Sequence, residues 1–332
     1  MQGSEEVGNV FEHVAPKVFV SHCLGFGRCR FNGQTIVDPF VEILRPHIEP
    51  VTVCPEVEVG LGVPRHPIRL IEDPGGISLI QPETGRDVTR EMTAFTESFL
   101  NTLGEVDGFI LKYRSPSCGP NQVKVYNSRK PEAGHRKGAG AFGGRIVERF
   151  CGLPIEDEGR LHNFDIRQHF LTRLFSLARF RNVAREGTMA SLVAFHSRHK
   201  YLLMAYSQVG LKRLGRIVAN AEHRSVADVI EAYRSGLLRA LANPPRRTNS
   251  INVLLHVLGH VSDGLKPAEK AFFLDELERY RDQRVCLSAP TSLLRSWIVR
   301  FEVPYLMDQY YFEPFPEALV EVLDSGKGRK LD

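Results

Sequence analysis

The chain has 332 residues, enough for about two domains, and its 42% hydrophobic and 25% charged content is ordinary for a globular protein. It carries 43 lysines and arginines against 39 aspartates and glutamates, a formal net charge of +4. No apolar run approaches the roughly 20 residues of a membrane span. Residues 1–16 are acidic and polar, unlike a signal peptide, so a cytoplasmic protein is expected. Its six cysteines are then catalytic, metal-binding or inert rather than disulfide-paired.

The positive charge is concentrated in the second half of the chain. Residues 1–155 hold 17 basic and 18 acidic residues, whereas residues 156–332 hold 26 and 21. Within 160–250 the count is 16 basic against 5 acidic, a net of +11. Such a stretch on a folded domain is either a phosphate-binding surface or a solvated helix face.

The first half alternates between strand-like and helix-like patterns, after a predicted flexible arm at residues 1–16. Short β-branched or aromatic runs predict strands at 17–20, 49–54, 67–73, 76–81, 107–112 and 122–126. Apolar residues at helical spacing predict helices at 39–47, 87–103 and 142–150. The runs at 67–73 and 76–81 flank Pro74-Gly75 and predict a hairpin. Residues 17–160 are therefore expected to form an α/β domain, Rossmann-like, with a mostly parallel sheet and helices on both faces.

Residues 161–332 show helical periodicity without strand-like runs. The predicted helices are 169–180, 191–208, 211–220, 226–241, 248–261, 267–281 and 290–300. This half is expected to be an all-α domain of six or seven helices.

Three cysteines, Cys23, Cys54 and Cys118, each follow a strand-like run. If those strands are parallel neighbours, the thiols meet at the carboxyl edge of one sheet, where open α/β sheets bind ligands. Three thiolates could hold a metal or an iron–sulfur cluster with one position open. Each cysteine could instead be a small core residue. Cys29 lies on the glycine-rich loop after Cys23 and could close the site as a fourth ligand.

A carboxylate and two hydroxyls accompany these cysteines. Glu56 lies two residues after Cys54 and could act as a general base or acid, although an ordinary surface glutamate is the favoured interpretation on sequence alone. Ser115 and Ser117 flank Pro116 before Cys118 and could contact a substrate, or could simply form a turn.

Residues 134–140, Gly-His-Arg-Lys-Gly-Ala-Gly, do not match a phosphate-binding P-loop, because no hydroxyl follows the lysine. They are expected to form a flexible basic loop over the site. His135, Arg136 and Lys137 of this loop, together with Arg30, are predicted substrate contacts.

His196 and His199 share one face of a predicted helix, so they could bind a metal. No His-Glu-x-x-His pattern accompanies them, and packing or an RNA contact is the favoured interpretation.

Five motifs resemble the DUF523 family, which is the family of the thiouracil desulfidases. They are Val-Ser-His-Cys-Leu-Gly (20–25), Cys-Arg-Phe-Asn-Gly (29–33), Cys-Pro-Glu (54–56), Gly-Leu-Gly-Val-Pro-Arg (60–65) and Ser-Pro-Ser-Cys-Gly (115–119). The second half resembles the DUF1722 family through Phe-His-Ser-Arg-His-Lys-Tyr-Leu-Leu-Met-Ala-Tyr-Ser (195–207) and Leu-His-Val-Leu-Gly-His (255–260), with support from residues 280–300. The combination resembles the fused bacterial desulfidases that remove sulfur from 4-thiouridine in tRNA.

The resemblance implies a [4Fe–4S] cluster held by Cys23, Cys54 and Cys118, with no ligand role for Cys29. It places the catalytic functions on Glu56 and Ser115. The sequence departs from the family at residue 22, a histidine where a small residue is usual, and at 31–32, Phe-Asn where Tyr-Asp is usual.

The implied reaction is a hydrolysis at C4 of the thiopyrimidine, without net redox change. Glu56 would activate a water, and Ser115 would hydrogen-bond the substrate and relay a proton. An open iron position suits the soft thiocarbonyl sulfur.

The implied partners are thiolated tRNA and small thiolated pyrimidines. The basic stretch would supply the RNA phosphate contacts, through Arg198, Lys200, Lys212, Arg213, Arg216, Arg246 and Arg247. Three other functions remain open: a desulfidase for free thiobases only, an iron–sulfur redox or sensor module with a helical interaction domain, and a closed four-cysteine zinc site.

Overall fold

The structure is a computed structural model that describes residues 13–130 and 133–320. The chain divides into two compact units. We call residues 15–178 with 317–332 the sheet unit, and residues 1–14 with 179–316 the helical unit. Residues 1–12 of the predicted arm lie outside the described residues. The predicted domain boundary at residues 160 and 161 stays a prediction, although the sheet unit extends to residue 178.

The sheet unit contains eight described strands. In chain order they are β1 (Lys17–Ser21), β2 (Glu49–Val53), β3 (Arg69–Asp73), β4 (Gly76–Ile80), β5 (Gly108–Leu111), β6 (Val123–Tyr126), β7 (His135–Gly138) and β8 (Ile155–Asp157). The central sheet is fully parallel, in the order β2-β1-β5-β8. Its strands are short and rich in β-branched and aromatic residues, as the sequence predicts for buried parallel strands.

The other four strands form a second, mixed sheet in the order β4-β3-β6-β7. The predicted hairpin is confirmed, since β3 and β4 pair antiparallel, with Asp73 opposite Gly76. β6 runs parallel to β3, and β7 returns antiparallel to β6. The sequence pattern does not predict this division into two sheets.

Helices α1 (Pro39–Leu44), α2 (Pro55–Glu58), α3 (Thr89–Thr102), α4 (Ala141–Arg149) and α5 (Glu158–Leu161) belong to the sheet unit. Asp38 is the N-cap of α1: its side chain accepts a hydrogen bond from the backbone N–H of Val41 at 3.0 Å. The core brings β1, α3 and α4 together: the Phe19 ring lies 5.7 Å from Phe142 and 5.8 Å from Phe99. The predicted α/β class with a mostly parallel sheet is confirmed.

The helical unit is all-α over its described residues, as predicted. Its helices are the end of α6 (Phe164–Glu186), α7 (Met189–Arg198), α8 (Lys200–Tyr206), α9 (Gln208–Ala219), α10 (Val226–Ala240), α11 (Arg247–Val261), α12 (Pro267–Arg281), α13 (Ser288–Arg300) and α14 (Pro304–Met307). Its core includes Tyr201, Val257, Phe273 and Trp297. Across the described part of the chain, no helix combines the length and the apolar character needed to cross a bilayer.

One predicted helix, 191–208, is interrupted at His199. The imidazole of His199 is buried and stacks on Phe195 with ring centroids 3.8 Å apart, and its Nε2 accepts a hydrogen bond from Arg179. This packing, which hydropathy does not encode, lies at the residue where α7 ends and α8 begins. His196 contacts the hydroxyl of Tyr233 through Nδ1 at 3.0 Å, so both histidines pack within the helical unit.

Candidate active site

The carboxyl edge of the parallel sheet collects the cysteines that follow its strands. Register places Ser21 beside Val53 on neighbouring strands β1 and β2, so the chain segments carrying Cys23 and Cys54 leave the sheet side by side. β5 lies on the other side of β1 and leads into the loop that carries Cys118.

Four thiols group at this edge. The thiol of Cys29 lies within hydrogen-bond reach of the thiols of Cys23 and Cys54, and Cys54 also donates to the carbonyl of Cys29 at 3.7 Å. Cys118 lies close enough for its thiol to interact electrostatically with Cys54 and Glu56. The two remaining cysteines, at positions 151 and 286, are exposed.

The protein environment disfavours free thiolates in this group. The hydrogen bond from Cys23, together with burial, raises the pKa of Cys29 to about 11, against an opposing contribution from Cys54. Burial, reinforced by the charges of Glu56 and Cys54, raises the pKa of Cys118 to about 12. The hydrogen bond with Cys29, followed by burial, also raises the pKa of Cys54. Without a bound cation, the raised pKa values keep Cys29, Cys54 and Cys118 in the thiol form at neutral pH.

The donor set fits an iron–sulfur cluster. Sulfur is the soft ligand that such clusters take, and cysteines from three separate chain segments interact at this edge, Cys23 and Cys54 through Cys29, and Cys118 through Cys54. Among the described residues, no group of three or more His, Cys, Asp or Glu side chains has the spacing of a site for one metal ion. A cubane has a different requirement, because each of its cysteine ligands binds a different iron.

A hydrogen-bond network adjoins the thiols. Glu56 is in the short helix α2, which begins directly after Cys54 with Pro55 at its first position. Its Oε2 accepts from Nε and Nη2 of Arg65 at 2.9 and 2.7 Å, and its Oε1 accepts from the hydroxyl of Ser117 at 2.6 Å. Both side chains of the ion pair are largely buried. The carboxylate is thus fixed through both of its oxygens.

The two serines continue this network with a defined direction. Ser117 gives its single hydroxyl proton to Glu56, so Ser115 is the donor in the 2.9 Å contact between the two hydroxyl oxygens. The backbone N–H of Cys118 donates to the oxygen of Ser115 at 3.1 Å. Ser115 is half-buried and therefore forms the accessible end of the network, whereas Ser117 is fully buried.

The start of α4 holds the cysteine loop in place. The backbone N–H groups of Ala141, Phe142 and Gly143 donate to carbonyls of residues 116 and 117 at 2.9–3.0 Å. These are helix N-terminal donors that have no partner within α4 itself. A β-carbon on Gly143 would lie 2.2 Å from the carbonyl oxygen of Cys118, and one on Gly140 would lie 2.4 Å from that of Ser117. The two glycines therefore permit a close approach of backbone to backbone.

Replacing Gly143 with alanine is expected to displace the cysteine loop, because the added methyl group meets backbone rather than a flexible side chain. The free energy of unfolding of the sheet unit should fall by about 1–3 kcal/mol, the usual cost of overpacking. Thermal melting followed by circular dichroism measures the effect. Gly104→Ala is the matched control, since a β-carbon there meets nothing within 4 Å. Equal melting temperatures for the two variants would contradict this account of the loop.

The predicted substrate contacts are dispersed in the structure. His135, Arg136 and Lys137 lie in strand β7, so the prediction of a flexible loop is wrong for these residues. The guanidinium of Arg136 pairs with Glu72 of β3 at 2.7 Å. Arg30 lies over the ring of Phe31, with its Cζ 5.6 Å from the ring centroid. A substrate role for these residues, and for Ser117, stays a prediction.

The histidine that departs from the family pattern has a local explanation. His22 contacts the hydroxyl of Thr52 through Nδ1 at 3.0 Å, which ties the end of β1 to β2. A β-carbon on Gly27 would lie 2.1 Å from Nε2 of His22. The larger side chain at position 22 is therefore accommodated by a glycine five residues later.

The seven predicted RNA contacts lie in the helical unit, on α7, α8, α9 and at the start of α11. Within the described residues none of them has a carboxylate partner within 4.0 Å. Six other arginines of that unit do: Arg224, Arg279, Arg281, Arg284, Arg295 and Arg300. Lys212, Arg213 and Arg216 of α9 are exposed. Their charge is therefore accessible to an external anion.

Sequence reasoning missed Arg65 as a member of the site. It follows a glycine- and proline-containing stretch in a loop, without the spacing of a known catalytic pattern. The one signal in the sequence was its place in the Gly-Leu-Gly-Val-Pro-Arg motif, which marks the residue but not its partner.

Two family models match the chain. The model described as 2-thiouracil desulfurase matches residues 18–158, and the model of the protein of unknown function DUF1722 matches residues 200–316.

Three known proteins are similar to parts of the chain. The uncharacterised protein YbbK of Bacillus subtilis (strain 168) is 34% identical over 110 residues, which cover 31% of this chain and 72% of YbbK. The uncharacterised protein YbgA of Escherichia coli (strain K12) is 27% identical over 151 residues, which cover 45% of this chain and 89% of YbgA. The solved structure of the [4Fe–4S]-dependent thiouracil desulfidase TudS is 27% identical, covers 44% of this chain and 93% of its own, and has a TM-score of 0.35. The chain belongs to the 2-thiouracil desulfurase family, DUF523, and joins that domain to a DUF1722 domain.

Proposed function

We propose that this protein is an iron–sulfur-dependent desulfidase that hydrolyses the thiocarbonyl group of 4-thiouridine in tRNA and releases the sulfur as sulfide. The observation that carries the proposal is the meeting of Cys23, Cys54 and Cys118 at one sheet edge, beside the carboxylate of Glu56. Membership of the 2-thiouracil desulfurase family supports a thiolated pyrimidine as the substrate.

Cys23, Cys54 and Cys118 would hold a [4Fe–4S] cluster. When bound, the cluster supplies a Lewis-acidic iron that suits the soft sulfur of a thiocarbonyl group. The rest of the chemistry falls to the protein side chains around it. The overall change converts C=S and water into C=O and hydrogen sulfide, so no electron donor is required.

In this proposal Glu56 acts on the attacking water. Its Oε2 accepts two hydrogen bonds from Arg65, whereas its Oε1 accepts one from Ser117 and retains a lone pair for a water proton. Ser115, at the accessible end of the network, can hydrogen-bond the substrate ring and pass a proton towards Ser117. Positioned groups of this kind typically contribute about 10²–10⁴-fold to a rate.

The helical unit supports a thiolated base within RNA, rather than a free base, as the substrate. A nucleotide within folded RNA must be held by its backbone while the base is turned out into a pocket. The seven basic residues without carboxylate partners provide charge for phosphate contacts. Three of them also lie near aromatic rings, with Arg198, Lys200 and Arg247 at 4.7–5.7 Å from tyrosine ring centroids.

An anaerobic assay of thiolated tRNA and free 4-thiouracil, without reductant and with iron and sulfide quantified, tests the proposal. We expect sulfide from tRNA in proportion to bound iron. Sulfide from the free base alone would favour a free-thiobase desulfidase. A requirement for an electron donor would favour a redox module. Zinc in place of iron after anaerobic purification would favour the closed four-cysteine site.

Affinity for tRNA is expected to fall steeply as salt rises, because cationic side chains displace counterions from the phosphates. The triple variant with Lys212, Arg213 and Arg216 changed to alanine should bind more weakly at low salt. Its slope of log affinity against log salt should shrink by about 1 for each cationic side chain that no longer reaches a phosphate. Filter binding of tRNA at several salt concentrations measures both quantities.

The matched control changes Arg279, Arg281 and Arg284 to alanine, which removes the same charge from residues that pair with neighbouring carboxylates. Binding by this control should stay close to wild type. Equal losses of affinity in the two triple variants would contradict a specific role for α9, and a salt-independent affinity would contradict phosphate recognition altogether.

A further inference from the structure

Arg65 is unusually well fixed for an arginine in a loop. Its side chain is 3% exposed and makes four hydrogen bonds. Two go to Oε2 of Glu56, one from Nη2 to the carbonyl of Cys29 at 3.0 Å, and one from Nη1 to the carbonyl of Gly62 at 2.8 Å. Its backbone N–H also donates to the carbonyl of Phe31 at 2.7 Å. One guanidinium therefore joins α2, the Cys29 loop and its own loop.

These hydrogen bonds restrict the rotation of the Glu56 side chain. A glutamate has three rotatable side-chain bonds, and fixing them costs conformational entropy. Arg65 donates to one oxygen of that carboxylate, Oε2, from two nitrogens, Nε and Nη2, which the single nitrogen of a lysine side chain cannot reproduce. Ser117 fixes the opposite oxygen at 2.6 Å. The carboxylate plane is consequently set before any substrate arrives.

The same contacts couple the carboxylate to the thiol group. The carbonyl of Cys29 accepts both from Arg65 and from the thiol of Cys54. A shift of Arg65 therefore alters the distance between Glu56 and the sulfur ligands. Misplacement by about 1 Å is enough to cost on the order of 100-fold in rate.

We infer that Arg65 is the positioning residue of the desulfidase reaction: it holds the Glu56 carboxylate in register with the cysteine site. The inference rests on the proposed function. The guanidinium of Arg65 donates its hydrogen bonds to the Glu56 carboxylate and to backbone carbonyls, and its charge also acts on the thiol of Cys29. Its effect on the reaction is exerted through Glu56. Its loss should therefore lower kcat and leave KM nearly unchanged.

The test compares Arg65→Ala, Arg65→Lys and Arg86→Ala as purified, iron-loaded proteins. Arg86 is the matched control because it bonds to the carbonyls of Val59 and Gly60 in the same loop region but has no carboxylate partner within 4.0 Å among the described residues. We expect Arg65→Ala to keep wild-type iron and sulfide content while kcat falls about 100-fold. The kcat of Arg65→Lys should fall less, because lysine keeps the positive charge although it has only one nitrogen to donate to Glu56. Arg86→Ala should stay within about threefold of wild type in kcat.

Methylguanidine provides a readout that a merely structural residue would not give. It should restore part of kcat in Arg65→Ala by occupying the vacated space beside Glu56. It should also raise the melting temperature of cluster-free Arg65→Ala, because a ligand that binds the folded state stabilises it. Neither effect is expected in wild type or in Arg86→Ala.

The outcomes separate the inference from the function on which it rests. Wild-type protein without activity on any thiolated substrate would overturn the proposed function. Active wild type with an Arg65→Ala variant of unchanged kcat would overturn the inference alone. Loss of the cluster from both Arg65 variants would also overturn it, since Arg65 would then be needed to retain iron rather than to place the carboxylate.

Discussion

Replacing Cys118 with alanine is expected to abolish bound iron, visible absorbance and desulfidation together. Cys118 is buried, and its backbone is fixed from both sides, by Ser115 on its N–H and by α4 behind its carbonyl. Iron analysis, the visible spectrum and sulfide release measure the three effects on the same sample.

Cys118→Ser separates the identity of the donor atom from the shape of the side chain. Serine fills nearly the same space with a hard oxygen, which is a poor ligand for an iron–sulfur cluster. Cys118→Ser should therefore lack iron, as the alanine variant does. Its melting temperature should equal that of the wild-type protein without the cluster. Cys286→Ala, at an exposed position, is the control and should keep full activity. A colourless Cys118 variant that still releases sulfide at the wild-type rate would contradict the whole assignment.

The cysteine site was predictable because strand order and strand ends constrain it. Each of the three cysteines follows a short apolar run, and parallel neighbours bring such ends to one edge. The same logic predicts Glu56, which follows Cys54 by two residues. Sequence alone could not choose between a ligand and a bystander role for Cys29, because its loop is placed by contacts with Cys54 and Arg65.

The remaining features depend on partners that are distant in sequence. Strand β7 contains His-Arg-Lys-Gly, without a β-branched residue, and it forms because β6 offers a free edge and Glu72 pairs with Arg136. The break between α7 and α8 falls at His199, whose imidazole bonds to Arg179, twenty residues earlier in α6. Arg65 acquires its role from contacts with Glu56 and Cys29, which no local pattern encodes.

The side chain of Glu56 gives the second large expected effect. Glu56→Gln is expected to keep the cluster and lower kcat by about 10²–10⁴-fold, the range for loss of a positioned proton acceptor. Glutamine has the same shape and can still accept from Arg65 through its amide oxygen. Its amide nitrogen must instead donate towards Ser117, so that serine can no longer send its proton in the original direction. Both the acceptor for the water proton and the direction of the serine pair are lost.

Glu58→Gln is the matched control, because Glu58 lies in the same helix α2 but is exposed. Its kcat should remain within about twofold of wild type. Iron content and the visible spectrum should be unchanged in both variants, which distinguishes Glu56 from the three cysteines. A Glu56→Gln variant with normal iron and normal kcat would remove the carboxylate from the mechanism and leave Ser115 as the one remaining candidate for proton transfer in the described network. A low kcat with normal iron content in Glu56→Gln would instead assign the two functions to different side chains. The thiols would then hold the cofactor, and the carboxylate of Glu56 would activate water.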